Sequence, residues 1–151
     1  MAGDTLTLRV VTPESTVVTN LPVKSMVVPM ATGYLGILPN HAPIVAALRV
    51  GVLKYKDGDT YRAMAVGGGF LEVADNQATV LVDTAEVGGD VDVLRAKASL
   101  ERAQARLRER QSHVDFTRAE SALERARARL RAAEEDPNHA SGPITMPRDL
   151  Q

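Results

Sequence analysis

One change of grammar near residue 90 constrains this chain more than any other feature. Upstream, short runs rich in β-branched residues, at 6–11, 23–28, 51–55, 61–66 and 78–82, read as strands. Turn residues separate them, among them Leu38-Pro39-Asn40-His41-Ala42-Pro43, Lys56-Asp57-Gly58-Asp59 and Ala74-Asp75-Asn76. Strands and turns at intervals of about 8–12 residues predict an antiparallel sandwich or barrel rather than a parallel α/β sheet. Lys56-Asp57-Gly58-Asp59 is the clearest hairpin. From Val91 onward Ala, Arg, Glu and Leu take over at helical spacing, with one interruption at 111–115, so two helices joined by a short turn follow. Ala96, Leu100, Ala103 and Leu107 line one face of the first, and Phe116, Ala119, Leu123, Ala126 and Leu130 one face of the second. Stripes this narrow allow a close antiparallel hairpin but bury little area, at ~25 cal/mol per Å² of apolar surface. Weak packing leaves room for a second conformation.

The resulting division is a β-sandwich at 1–88, a helical hairpin at 89–135 and a disordered tail at 136–151, where Pro137, Gly142, Pro143 and Pro147 break any periodicity. With 3% aromatic residues and no Trp, the core has to be built from Val, Leu, Ile, Ala and Met. The absence of Cys removes disulfides, thiolate metal sites and cysteine nucleophiles, and is compatible with a reducing cytoplasm. No basic segment followed by an apolar stretch opens the chain, and no run approaches the ~18 apolar residues of a membrane span, so a soluble, internal protein is expected. The net charge of −1 conceals an asymmetry: residues 1–90 carry 6 Lys or Arg against 9 Asp or Glu, and residues 91–135 carry 11 against 8, 10 of the 11 being Arg. Arg favours two-pronged contacts with phosphates or carboxylates, although a solvated helix face has the same composition.

Several constellations point to no chemistry. Gly67-Gly68-Gly69 is followed by no Lys-Ser or Lys-Thr and lies between strands, which reads as a bulge or tight turn. His41, His113 and His139 are scattered, with no Cys to complete a metal set. No nucleophile elbow or Ser, His and acid grouping exists, so catalysis is not expected. A nucleic-acid binder would need net positive charge and stacking aromatics, both lacking.

The stretch from Gly33 to Pro43, Gly-Tyr-Leu-Gly-Ile-Leu-Pro-Asn-His-Ala-Pro, is similar to the signature loop of the epsilon subunits of bacterial F-type ATP synthases. Val66-Gly67-Gly68-Gly69-Phe70-Leu71-Glu72-Val73 resembles that family's glycine-rich strand, and the Ala- and Arg-rich helix pair follows where the family has one. The resemblance implies a non-catalytic rotor subunit of the central stalk, its sandwich packed against the gamma subunit and resting on the c-ring. It is thereby peripheral, through the complex, to the cytoplasmic face of the cell membrane. Ring-facing residues carried over from the family are Met30, Ala31, Thr32, Gly33, Tyr34 and His41. In some members the helices leave the hairpin, extend along gamma toward the alpha and beta catalytic subunits, and block rotation in the hydrolysis direction.

Val91-Asp92-Val93-Leu94-Arg95-Ala96 resembles the ATP-binding motif of bacterial epsilon subunits, with Val91 where Ile or Leu is usual. Glu86, Arg102, Arg118, Arg125 and Arg129 occupy positions where ATP-binding relatives supply further contacts. The resemblance thus implies ATP as a regulatory ligand of the folded hairpin, with no protein-bound metal required. Spacing agrees with a shared face for Arg95 and Arg102, seven apart, and for Arg118, Arg125 and Arg129. The competing reading of Asp92 is a helix N-cap, and of the whole motif a plain structural hairpin in a purely coupling subunit.

Overall fold

The computed structural model describes residues 4–109 and 113–138. Ten strands come first: β1 (Leu6–Val11), β2 (Thr16–Val23), β3 (Met26–Met30), β4 (Gly33–Ile37), β5 (Ile44–Leu48), β6 (Gly51–Asp57), β7 (Thr60–Val66), β8 (Gly69–Ala74), β9 (Gln77–Val82) and β10 (Ala85–Val87). A 3-10 turn, Gly88–Asp90, leads to α1 (Val93–Glu109) and α2 (His113–Glu135). The sandwich followed by a two-helix hairpin expected from the sequence is the architecture found. No described helix is long and apolar enough to cross a membrane.

The strands run in the order β10-β7-β6-β3-β5-β8-β9-β1-β2, with β4 also paired to β3. The sheet folds over at β3, which pairs with β6 through Met26 and Val27 and with β5 only at Met30–Leu48. The pairing departs from the antiparallel expectation at one place: β1 and β9 run parallel from Thr7–Gln77 to Val11–Leu81. These strands are far apart in sequence, so no turn dictates their relative direction. Local turn chemistry sets the hairpins. Asp75 and Asn76, both at positive φ, form the two-residue I′-type connection of β8 to β9. Gly58 at φ +62 opens the two-residue loop joining β6 to β7, at the hairpin the sequence marks most clearly.

Leu6, Leu8, Val10, Val28, Ile37, Leu53, Met64, Leu71, Val73 and Val80 interdigitate in the sandwich core. On β1, β8 and β9 alternate residues point outward, as period 2 requires. β6 and β7 break that alternation because both of their faces are covered. Leu53, Tyr55, Met64 and Val66 enter the core, while Val52, Ala63 and Ala65 receive Ala128 and Ala132 of α2. α2 therefore lies on the sheet, and α1 packs on α2 through Val91, Ala96, Leu100, Ala103, Leu123, Ala126 and Leu130. Gly67-Gly68-Gly69 is a place of close approach: a Cβ at Gly69 would lie 1.9 Å from the Leu81 carbonyl oxygen, and one at Gly67 2.8 Å from Thr84 Oγ1.

α2 ends at Glu135, the last residue the sequence reading gives to the hairpin. Asp136, placed in the tail for want of periodicity, has a fully buried side chain, and Arg62 Nε donates to both of its carboxylate oxygens at 3.1 and 3.3 Å. Asn138 N–H donates to the same carboxylate at 2.9 Å. The rest of that tail, 139–151, lies outside the described residues.

Candidate functional site

Along the seam between sandwich and hairpin lies a cleft of about 360 Å³, lined by Glu86 and Ala85 of β10, Val66 of β7, Ser99 of α1, and Ala122, Arg125 and Arg129 of α2, among others. That volume falls in the range of small-molecule sites. The chain builds it from small residues: Ala65, Ala85, Ala122, Ala126 and Ala128 keep the floor open, and the long polar side chains stand at its walls.

Of the residues singled out by sequence, the structure gathers Glu86, Arg125 and Arg129 on this cleft. Arg129 Nη2 donates to Glu86 Oε1 at 3.2 Å, both groups being about a third or less exposed. Its Nε–H is buried with no acceptor. A buried donor left unmade costs about 1–3 kcal/mol, more when charged, so this N–H is free to donate to a water or another acceptor in the cleft. Arg102 joins at one remove, donating from Nη2 to Oγ of the cleft-lining Ser99 at 3.0 Å.

The remaining candidates have other occupations. Asp92 Oδ1 accepts from Arg95 N–H at 3.1 Å, so this carboxylate caps α1, which begins one residue later. Val91 and Ala96 are buried in the hairpin's own core. Arg95 and Arg118 are exposed and do not line the cleft. Each nonetheless sits one helical turn from a residue that does, Ser99 and Ala122 respectively.

The six residues of the sandwich candidate set lie along β4 and its two flanks. Met30 to Gly33 close the β3–β4 turn, Tyr34 is the second residue of the strand, and His41 stands in the loop that follows it, its N–H donating to Leu38 O at 3.1 Å. Tyr34 lies under the Arg49 guanidinium at 5.2 Å. His41 Nδ1 donates to the Ala42 carbonyl at 2.7 Å, and its loop is pinned by Asn40 N–H to Asn76 Oδ1 at 2.8 Å, while Asn76 Nδ2 donates to Thr5 O at 2.8 Å. Sequence reasoning missed the Asn76 clamp. Its signal was the αL-tolerant Asp75-Asn76 pair, read only as a turn.

Family models match almost the whole described chain. Residues 5–88 match the beta-sandwich domain of the ATP synthase delta/epsilon chain, and residues 90–134 match its long alpha-helix domain. The chain is 52% identical over 109 residues to the ATP synthase epsilon chain of Symbiobacterium thermophilum, covering 72% of this chain and 78% of that one. It is 49% identical over 115 residues to that of Syntrophomonas wolfei, covering 76% and 83%. Among solved structures, its fold is similar to a chain of the Euglena gracilis mitochondrial ATP synthase (TM-score 0.75, 23% identity, covering 86% and 81%). A chain of the Tetrahymena thermophila enzyme's central stalk and c-ring shares the fold more loosely (TM-score 0.59, 16% identity, covering 83% and 94%).

Proposed function

The chain belongs to the ATP synthase delta/epsilon chain family, among the bacterial F-type epsilon subunits, and from that premise we propose that it is a non-catalytic central-stalk subunit whose hairpin responds to ATP. In this reading the sandwich couples the gamma subunit to the c-ring at the cytoplasmic face of the membrane. The hairpin binds ATP when folded and, when extended toward the alpha and beta subunits, opposes hydrolytic rotation.

The observation that supports ATP binding best is the buried, acceptor-less Nε–H of Arg129 on a cleft that also carries Arg125 and Glu86. A phosphate oxygen supplies the missing acceptor, and Arg125 and Arg102 add charge-assisted donors near it. Glu86 is an acceptor suited to an adenine amine or a ribose hydroxyl. Since the cleft needs β10, α1 and α2 together, ATP selects the compact state. At about a hundred times its dissociation constant it adds ~2.7 kcal/mol, enough to move an evenly balanced hairpin to about 99% compact.

Isothermal titration of the full chain tests this. One ATP site is expected, weakened roughly ten- to a hundredfold by Arg125→Ala or Arg129→Ala. No heat at millimolar ATP would exclude it. The inhibitory role is tested separately, by truncating after Gly88 in a reconstituted catalytic complex: hydrolysis should rise, and an unchanged rate removes that role. The 3.2 Å contact between Glu86 and Arg129 favours a second reading, a structural bolt in a purely coupling subunit. Under it, changes at either residue loosen the hairpin whether or not ATP is present.

A further inference from the structure

The opposite flank of α2 carries a second basic recess. It has a volume of about 200 Å³, several times the ~30 Å³ share of a water molecule, and is lined by Arg49, Val50 and Gly51 of the sandwich and Glu124, Arg127, Ala128 and Arg131 of α2. Ala128 also lines the Glu86–Arg129 cleft, so the two recesses lie on either side of the ridge that seats α2 on the sheet. Helix geometry demands this placement. Arg129 stands two residues from both Arg127 and Arg131, a rotation of about 200°, whereas Arg127 and Arg131, four apart, share a face.

Arg49 is held in place: its Nε donates to Met30 O at 2.7 Å, its Nη1 to Val50 O at 3.2 Å, and its guanidinium lies over Tyr34. Three of its five N–H groups are left over. Gly51 keeps the space beside it open, since a Cβ there would come within 2.9 Å of Pro29 Cβ and 3.4 Å of Arg49 Nη1. Among the described residues neither Arg127 nor Arg131 forms an ion pair. Three guanidinium charges thus meet one carboxylate, Glu124, at a partly desolvated seam, where like charges repel unless an anion sits between them.

We propose that this recess is an oxyanion site of the phosphate class, and that its occupancy holds the hairpin on the sandwich. The chemistry is that of planar cations presenting several N–H donors to tetrahedral oxygens. The coupling follows from ownership of the walls: Arg49 belongs to the sandwich and Arg127 and Arg131 to α2, so only the docked hairpin assembles the site. Nothing in it depends on ATP binding across the ridge.

The test uses the ¹⁵N-labelled full chain titrated with inorganic phosphate at constant ionic strength, chloride being the exchanged anion. Saturating shifts are expected at the amides of Val50, Gly51, Ala128 and Arg131. Arg127→Gln, at an exposed position, or Arg131→Gln, at a half-buried one, keeps a polar side chain on α2 and should weaken that binding at least tenfold. Arg125→Gln, across the ridge, should leave it unchanged. Parallel titrations with pyrophosphate and with ATP, in the Arg125→Gln background, identify the source: saturation by phosphate assigns the free ion, and saturation by the larger anions alone assigns a phosphoryl group of a bigger ligand. Shifts that stay linear for all three anions, or saturation surviving in the Arg127→Gln, Arg131→Gln double variant, would overturn the site. Hydrogen exchange of α2 should slow with the bound anion in the wild type and not in Arg131→Gln, and no slowing in the wild type would refute the coupling.

Discussion

Gly88 is the position at which the smallest change should separate hairpin from sandwich. A methyl group there would lie 2.1 Å from the Ala132 carbonyl oxygen, 2.6 Å from its carbon and 2.6 Å from Asp136 Cβ. Two of these neighbours are backbone of α2, so no side-chain rotation relieves the contact. The glycine's own φ is outside the left-handed region, and Gly88→Ala therefore adds contact without backbone strain. Restoring even 3.2 Å to the oxygen requires a shift of about 1 Å at the seam, and overpacking of this kind costs typically 1–3 kcal/mol. The core of the sandwich does not include Gly88, while Ala132 belongs to the small cluster under α2, so the strain falls on docking. At 1.4 kcal/mol per decade, the docked population relative to the undocked one should drop about 5- to 150-fold. Hydrogen-exchange mass spectrometry of the full chain reads this directly: α2 peptides lose protection while β8 and β9 keep theirs. Unchanged α2 protection in a folded Gly88→Ala variant would refute the idea that contact at this glycine governs docking.

Arg62→Ala leaves the buried Asp136 carboxylate without its charged partner and should destabilise the docked hairpin by about 1–3 kcal/mol, seen as earlier loss of helical signal on heating. The same pairing makes Arg62 unsuitable as a neutral surface control for ligand binding. Gly69→Ala places Cβ 1.9 Å from Leu81 O and should lower the melting temperature of the sandwich itself, where a melt unchanged within 2 °C would contradict the role given to Gly69. Burial raises the Tyr55 phenol above its ordinary value of 10.0, outweighing the opposing pull of Arg62. The folded state thus holds this proton longer than the unfolded chain does, so stability is intact below pH 10 and declines as pH rises beyond it. Tyr55→Phe should flatten that alkaline decline in a thermal-melt series.

The change of grammar near residue 90 revealed the division into sandwich and hairpin because period 2 and period 3.6 are local properties. The helix stripes were largely legible: Ala96, Leu100, Ala103, Ala119, Leu123, Ala126 and Leu130 are buried, while Leu107 and Phe116, at the stripe ends nearest the interhelical turn, are half-buried. Five strands, β2, β4, β5, β8 and β10, escaped that reading, three of them for a local reason. β4 is Gly-Tyr-Leu-Gly-Ile, β2 contains Asn20 and Pro22, tolerable because it ends the sheet order, and β10 has three residues. The parallel β1–β9 pair left no mark, as it depends on contacts some seventy residues apart. Seam residues were hidden for a different reason: Ala128 and Ala132 look like ordinary helix formers, and Arg49 meets Arg127 and Arg131 only after folding. The i, i+4 spacing of the last two was visible, but a solvated face shows it as well.

The unequal composition of the two interfaces sets what a small ligand is able to move. The sandwich core buries Leu, Met, Ile and Val from eight or more strands, and no single ligand offsets that. Under α2 the apolar contact is Val52, Ala63, Ala65, Ala128 and Ala132, in effect a few methyl groups. At ~0.8 kcal/mol per buried CH₂ equivalent, that contact is worth on the order of 4 kcal/mol before the entropy of ordering the hairpin is subtracted. The ion pairs Lys54–Glu135 at 3.2 Å and Glu86–Arg129 add little where they are partly exposed, and the buried Arg62–Asp136 pair adds about 1–3 kcal/mol, against which the ordering entropy also has to be set. A ligand contributing ~2.7 kcal/mol is therefore comparable with the net docking energy, though negligible against the sandwich. Overfilling the seam should shift that balance the other way: Ala63 is already 1% exposed against Ala128 and Ala132, so Ala63→Val should cost docking about 1–3 kcal/mol. With no anion added, α2 should then be less protected from hydrogen exchange than in the wild type, whereas wild-type protection would contradict so close a balance.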